Sequence, residues 1–157
     1  EKLQIPKLKI KWPNDTLAGN FKICGILIEN ILINGRVGST IIGIGLNVNQ
    51  LEFENLPQAA SLKKLTGVHF ELDYLLKLLV NTIEKNIYAK KDWKIEAILN
   101  EYYVHLFRLN KASTFEFPNG QRKTGIIKKV SHQGRLIIFF EDQLEQEFDI
   151  KEIKLLY

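Results

Sequence analysis

The run from Lys22 to Ile33, KICGILIENILI, is almost unbroken in apolar and β-branched residues. A run of this kind, without the alternation of a half-solvated strand, predicts a strand buried on both faces. Asn34-Gly35 follows, the strongest short hairpin signal, inside a loop that reads as 34–38 and so as longer than the two-residue ideal. Residues 39–49, STIIGIGLNVN, predict the returning strand. Gly43 and Gly45 stand two apart and therefore on one face of it, where a helix, another backbone or a ligand must come close.

Immediately before this hairpin, residues 7–12 alternate basic and apolar, KLKIKW. They predict a strand with Leu8, Ile10 and Trp12 on one face and Lys7, Lys9 and Lys11 on the other. Pro13 fixes its own φ, holds Trp12 extended and breaks the strand. Asn14 and Asp15 suit the turn that follows, because their side chains bond to nearby backbone groups. Leu17-Ala18-Gly19-Asn20 reads as an exposed loop. Two lysines, Lys11 and Lys22, thus bracket a rigid turn bearing a carboxylate, an arrangement suited to an anion.

Beyond the hairpin, residues 50–58 carry no stable period and include Pro57, so they read as a loop. A short helix is expected from Ala59 to Leu65, stopped by Gly67. Asp73 is expected to cap a helix reaching about Tyr88, with Leu75, Leu76, Leu79, Val80, Ile83 and Ile87 at three- and four-residue spacing. A second helix is expected from Trp93 to Leu106, turning Trp93, Ala97, Ile98, Tyr102 and Leu106 inward. After Asn110 the texture changes to short β-like segments at 113–117, 122–131, 135–140, 145–149 and 153–157. Turn clusters Pro118–Gln121, His132–Gly134 and Glu141–Gln143 separate them, and the spacing suggests a small SH3-like barrel. A domain boundary is placed at 110/111.

Composition excludes several classes. The 157 residues are 45% apolar and 25% charged with net charge +4, an ordinary globular balance that permits an anionic substrate without calling for nucleic acid. Cys24 is a single cysteine in an apolar run, so intramolecular disulfides and zinc modules are excluded and a buried thiol is expected. No run reaches the roughly 18 apolar residues of a membrane span, and no signal peptide is recognisable, so no membrane role and a cytoplasmic location are expected. His69, His105 and His132 are scattered and receive no catalytic role.

Three motifs, in order, go beyond pattern: Lys11-Trp12-Pro13-Asn14-Asp15, Lys22-Ile23-Cys24-Gly25-Ile26-Leu27-Ile28-Glu29, and Gly43-Ile44-Gly45-Leu46-Asn47-Val48-Asn49. Together they resemble the biotin protein ligase family, also called biotin–[acetyl-CoA-carboxylase] ligase. Ala60-Ser61-Leu62 resembles the family's loop over the nucleotide. The resemblance implies an α+β architecture. Residues 1–110 would be the C-terminal portion of a class II synthetase-like catalytic domain, a mixed sheet with helices on one side, and 111–157 an SH3-like domain. It also implies an activity: biotin and ATP, with Mg²⁺, give biotinyl-5′-AMP, from which biotin passes to a lysine of a biotin carboxyl carrier protein domain.

By the same resemblance Lys22 is the catalytic residue, holding biotin's carboxylate and the α-phosphate, and Lys11 serves the phosphate side or braces the turn. Asn14 and Asn47 resemble adenine-side amides, which could equally cap a turn and a strand end. Gly25, Gly43 and Gly45 would clear space for biotin and nucleotide, and Asp15 would support Mg²⁺ or hold the turn. Trp12 is assigned to the core. The family's loop of the form G-R-G-R-x-G does not occur in this sequence, and the chain opens at EKLQIPKLKIKWPND. That implies the latter part of a ligase, inactive alone, which would pair with the missing half or form a homodimer. The rival readings are a lipoate–protein ligase relative and a non-enzymatic binding or dimerising remnant.

Overall fold

A computed structural model describes Ile5, residues 7–142 and residues 144–157. Gln143, in the expected Glu141–Gln143 turn, lies outside the described residues, as do the first four residues and Pro6. The architecture is α+β, with two sheets and three helices among the described residues. By contacts the chain divides into two compact units, one of residues 1–9 and 14–92, the other of residues 10–13 and 93–157.

The first sheet runs in the order β1 (Leu8–Lys11), β2 (Asp15–Ala18), β3 (Phe21–Ile33) and β4 (Arg36–Leu46). The β2–β3 and β3–β4 pairings are antiparallel. Residues 17–20, expected as an exposed loop, are corrected here. Leu17 and Ala18 end β2 and are buried, at 0% and 5% exposure. Only Gly19 and Asn20 turn, between the paired Ala18 and Phe21. Gly19, at the first central position, has φ +62°, the left-handed conformation that a type II′ hairpin demands of that position.

The 34–38 loop is corrected in the other direction. Ile33 pairs with Arg36, so Asn34 and Gly35 alone make the turn, with φ of 51° and 74°. Two successive positive φ values are the type I′ geometry, whose twist matches that of the flanking strands. The expectation of burial on both faces of β3 holds only at its start. Ile23 and Cys24 are buried, whereas Leu27, Ile28, Ile31, Leu32 and Ile33 are exposed, as are Val37, Ile41 and Ile42 of β4. The physical reason lies in strand length: β2 pairs with β3 only from Phe21 to Gly25, and from Ile26 onward β3 and β4 form a two-stranded ribbon.

The core of this unit gathers Ala18, Ile23, Cys24, Ala60, Leu62 and Leu75. Helix α1 is Leu62–Thr66, begun by Ser61, whose hydroxyl accepts from the Lys64 N–H at 3.0 Å, and closed by Gly67 at φ +76°. It starts three residues later than expected because Ser61 supplies the cap. Helix α2 is Leu72–Lys90 with Glu71 at the cap position, so Asp73 lies inside the first turn, where its charge meets the positive end of the helix dipole. Of its apolar residues Leu75 is buried, while Leu76, Val80 and Ile87 are exposed.

In the second unit α3 is Ile95–His105, and it packs through its C-terminal end. Tyr102, Tyr103 and the following Leu106 reach the core; the expected inward Trp93, Ala97 and Ile98 are exposed. The Tyr103 hydroxyl donates to the Val130 carbonyl at 2.7 Å and accepts from its N–H at 3.2 Å. Five antiparallel strands follow, β5 (Ala112–Glu116), β6 (Arg122–Val130), β7 (Leu136–Phe140), β8 (Glu145–Phe148) and β9 (Lys154–Leu156), in the order β8-β7-β6-β5-β9. This is an SH3-like meander around Phe115, Ile127, Val130, Ile138, Phe140 and Phe148. A bulge at Lys128 resets the alternation of β6, so that Ile127 and Val130 both face inward although they stand three apart.

Gly125 of β6 tests how tightly this core is filled. A Cβ there would lie 2.7 Å from Ile138 Cγ2 and 2.9 Å from Phe140 Cδ1. Gly125→Ala should therefore destabilise the second unit by about 1–3 kcal/mol through overpacking, read as a lower urea midpoint. An unchanged midpoint would mean that the core is looser than these distances.

Candidate functional site

The site is built around Lys22, whose backbone is tied on two sides. On one side Lys22 lies opposite Leu17 of β2. On the other its N–H donates to the Gln58 carbonyl at 2.7 Å, and its carbonyl accepts from the Ala60 N–H at 3.0 Å. These bonds form a parallel bridge between Lys22 and Ala59. The segment on that side is itself anchored, since the Ser61 hydroxyl donates to the Gln50 carbonyl and the Leu62 N–H to the Asn47 carbonyl at 3.0 Å.

The direction of the Lys22 side chain depends on an irregularity. Thr16 pairs with Cys24 and Leu17 with Lys22, leaving Ile23 as an extra residue in β3. In a regular strand Lys22 and Gly25, three apart, would face opposite ways; the bulge restores them to one face. Lys22 Nζ accordingly lies 2.6 Å from Asp15 Oδ1, and a Cβ built on Gly25 would lie 3.4 Å from that Nζ and 3.7 Å from the same carboxylate oxygen. The lysine side chain is 45% exposed and the aspartate 15%, so the ammonium is held at the surface by a carboxylate set more deeply.

The glycines continue this face. Asp15 pairs with Gly25, Gly25 with Gly45, and Leu27 with Gly43. A Cβ on Gly45 would find only the Gly25 carbonyl within 4 Å, at 3.8 Å, and one on Gly43 only Leu27, at 3.7 and 3.8 Å. The result is a patch of bare backbone at Gly25 and Gly45, continued by Gly43 beside the Leu27 side chain, next to an ammonium and a carboxylate. Chemically it admits a flat or extended ligand close to the sheet, with its anionic end at Lys22.

Asn14 and Asn47 belong to the same unit and brace it. Asn14 Nδ2 donates to the Ile26 carbonyl at 2.9 Å, while the Ile26 N–H donates to the Asn14 carbonyl at 2.9 Å. Asn47 Nδ2 donates to the Ala60 carbonyl at 3.1 Å. Ala60, Ser61 and Leu62 are almost wholly buried and form part of the core under Lys22. Lys11 falls in the second unit, its Nζ 5.5 Å from the centroid of the Tyr157 ring, and Trp12, also there, donates from its indole to the Gly134 carbonyl at 2.8 Å. Burial pushes the Cys24 thiol up, against a smaller opposing pull from Lys22, as befits an inert core cysteine. No group of three or more His, Cys, Asp or Glu side chains placed to hold a metal occurs among the described residues. None of their helices is long and apolar enough to cross a membrane.

Sequence reasoning placed Lys11, Lys22, Asn14, Asn47, Asp15 and the three glycines in one site; Lys11 falls in the second unit, and the bulge at Ile23 and the clamp from residues 58–60 were missed. Neither has a clear signal in the sequence. Gly25→Val should crowd the ammonium off Asp15 without entering the core, exposing Lys22 to faster acetylation by a water-soluble anhydride while shifting stability by no more than about 1 kcal/mol. Unchanged acetylation of Lys22 would show that the glycine is not needed for the contact.

No family model matches the chain. It is 30% identical over 129 residues to the biotin–[acetyl-CoA-carboxylase] ligase of Mycobacterium tuberculosis, covering 82% of this chain and 46% of that protein. The chain thus spans about half the length of that relative. Among solved structures, a biotin protein ligase from Aquifex aeolicus superposes with TM-score 0.77 at 25% identity, covering 98% of this chain and 67% of that one. The same ligase in complex with biotin and ATP gives 0.72 at 24% identity, covering 95% and 62%. In sequence and in fold alike, the chain matches the C-terminal region of biotin protein ligases.

Proposed function

We propose that these residues form part of the site of an ATP-dependent biotin protein ligase. Biotin's carboxylate attacks the α-phosphate of ATP to give biotinyl-5′-AMP and pyrophosphate. A carrier-domain lysine then takes the biotinyl group and releases AMP. The observation that carries the proposal is the Lys22 ammonium, 2.6 Å from Asp15 and set over the Gly25 backbone, beside the bare pair Gly25 and Gly45. The crystallised Aquifex ligase, which binds biotin and ATP, supports the substrate assignment.

The chemistry asks for such a group. Bringing a carboxylate to a polyphosphate sets negative against negative, a repulsion of roughly 4 kcal/mol at ~4 Å and an effective dielectric of 20. A cation already positioned there lowers the barrier without reorganising during the reaction. Lys22 holds both anions as they meet and stays with the acyl-phosphate oxygens afterwards. Asp15 positions it until substrate arrives. Gly43 and Gly45 admit the nucleotide, and the oxygens of Asn14 and Asn47 face adenine.

Mg²⁺ would be held by ATP phosphate oxygens together with a carboxylate of the protein, since such ions take one or two carboxylates along with substrate oxygens. Asp15 can offer one. The partner is a biotin carboxyl carrier protein domain. The exposed aliphatic residues of β3 and β4 support association with another polypeptide, either the remainder of a catalytic domain or a second copy. The ligase domain gives way to the SH3-like domain near residue 111 in this reading.

Lys22→Ala, in the chain joined to the N-terminal half of a ligase catalytic domain, should lower biotin-dependent pyrophosphate exchange by at least about 100-fold with its circular dichroism unchanged. Full exchange in that variant would sink the assignment. The 157 residues by themselves should bind biotin only weakly, with a dissociation constant above about 100 μM by calorimetry. Tight binding would show that the G-R-G-R-x-G loop matters less than proposed.

A further inference from the structure

A cavity of about 230 Å³ lies wholly within the second unit and contains none of Lys22, Asp15 or the three glycines. Its walls include Trp12, Phe107, Leu136 and Ile153, the last three at most 9% exposed. The Trp12 indole is fixed in place by its 2.8 Å bond to the Gly134 carbonyl, so this wall is formed in advance of any ligand. The ionisable residues lining the cavity are Lys11, Lys151 and Lys154, all cationic, and no carboxylate side chain lines it among the described residues.

We propose that this cavity binds a small organic monoanion, a single ring or branched chain bearing one carboxylate. Size and charge set that class together. A cavity of about 150 Å³ takes benzene, and pockets for drug-sized ligands begin near 300 Å³, so a space between them fits one ring with a short acid arm. Apolar walls favour the body of such a ligand, and the ammonium groups of Lys151 and Lys154 favour its head over a neutral one. A polyanion would leave most of its charge against Trp12, Phe107 and Leu136, and a purely apolar ligand would gain nothing from Lys151 and Lys154. The proposal does not rest on the ligase reading.

The test uses the intact chain with neither biotin nor ATP present, so its outcome is separate from that of the ligase proposal. 3-Phenylpropionate and its neutral analogue 3-phenylpropan-1-ol are titrated while the Trp12 indole N–H is followed by NMR. The acid should shift that signal saturably and bind at least about tenfold more tightly than the alcohol, with the gap narrowing at high salt. The double variant Lys151→Gln/Lys154→Gln should bring the acid to the alcohol's affinity while leaving the alcohol where it was, a split that a merely structural role for the lysines would not produce. Equal binding of acid and alcohol, no saturable shift up to about 10 mM, or an undiminished preference for the acid in the double variant would each overturn the proposal.

Discussion

The first unit depends on how the backbone of Lys22 is held. Its N–H and carbonyl both bond to residues 58–60, and on the other side it lies opposite Leu17 of β2. Ala60 and Leu62, just beyond, are buried with Ile23 and Cys24. The same few residues therefore close the core and present the ammonium. A lysine on a long flexible stem is a poor positioning device alone; with its Cα fixed and its tip 2.6 Å from a mostly buried carboxylate, most of that freedom is removed before any ligand arrives. Stability and site geometry come from one set of hydrogen bonds.

Both units use a bulge to turn a residue through the sheet. In β3 the extra Ile23 brings Lys22 to the face of Gly25 and Asp15. In β6 the extra Lys128 sends Val130 into the same core as Ile127. A strand alternates strictly, so one added residue reverses everything beyond it. The device is economical: a single insertion places a charge on a chosen surface, or a side chain in a core, with a local bend and extra twist of the strand.

The ribbon of β3 and β4 shows the opposite situation. Its aliphatic side chains are of the kind that fill cores, yet eight of them, Leu27, Ile28, Ile31, Leu32, Ile33, Val37, Ile41 and Ile42, are at least 41% exposed. Leu76, Val80 and Ile87 of α2 are exposed as well. A two-stranded ribbon is at best marginal in water, and apolar surface on this scale is more than a folded chain ordinarily leaves exposed.

Local chemistry was legible from the residues. Asn-Gly announced the β3–β4 hairpin, the run 22–33 announced a strand, Gly67 the end of α1, and five turn-separated segments the SH3-like meander. The grouping of Lys22, Asp15, Gly25, Gly43 and Gly45 also followed from motif order, through likeness to biotin ligases. Other features were not legible, because they are contacts between segments distant in the chain. Leu17 and Ala18 have the composition of a loop tip but are buried because β3 and residues beyond 58 enclose them. The exposure of the ribbon follows from the four-residue length of β2, which the ribbon's own sequence cannot report. What the sequence determined by itself was which segments become strands, turns and helices, since propensity and periodicity act over a few residues. Only the tertiary structure decided which face each residue took, since one unpaired residue at Ile23 reverses the alternation and is set by pairing with another strand.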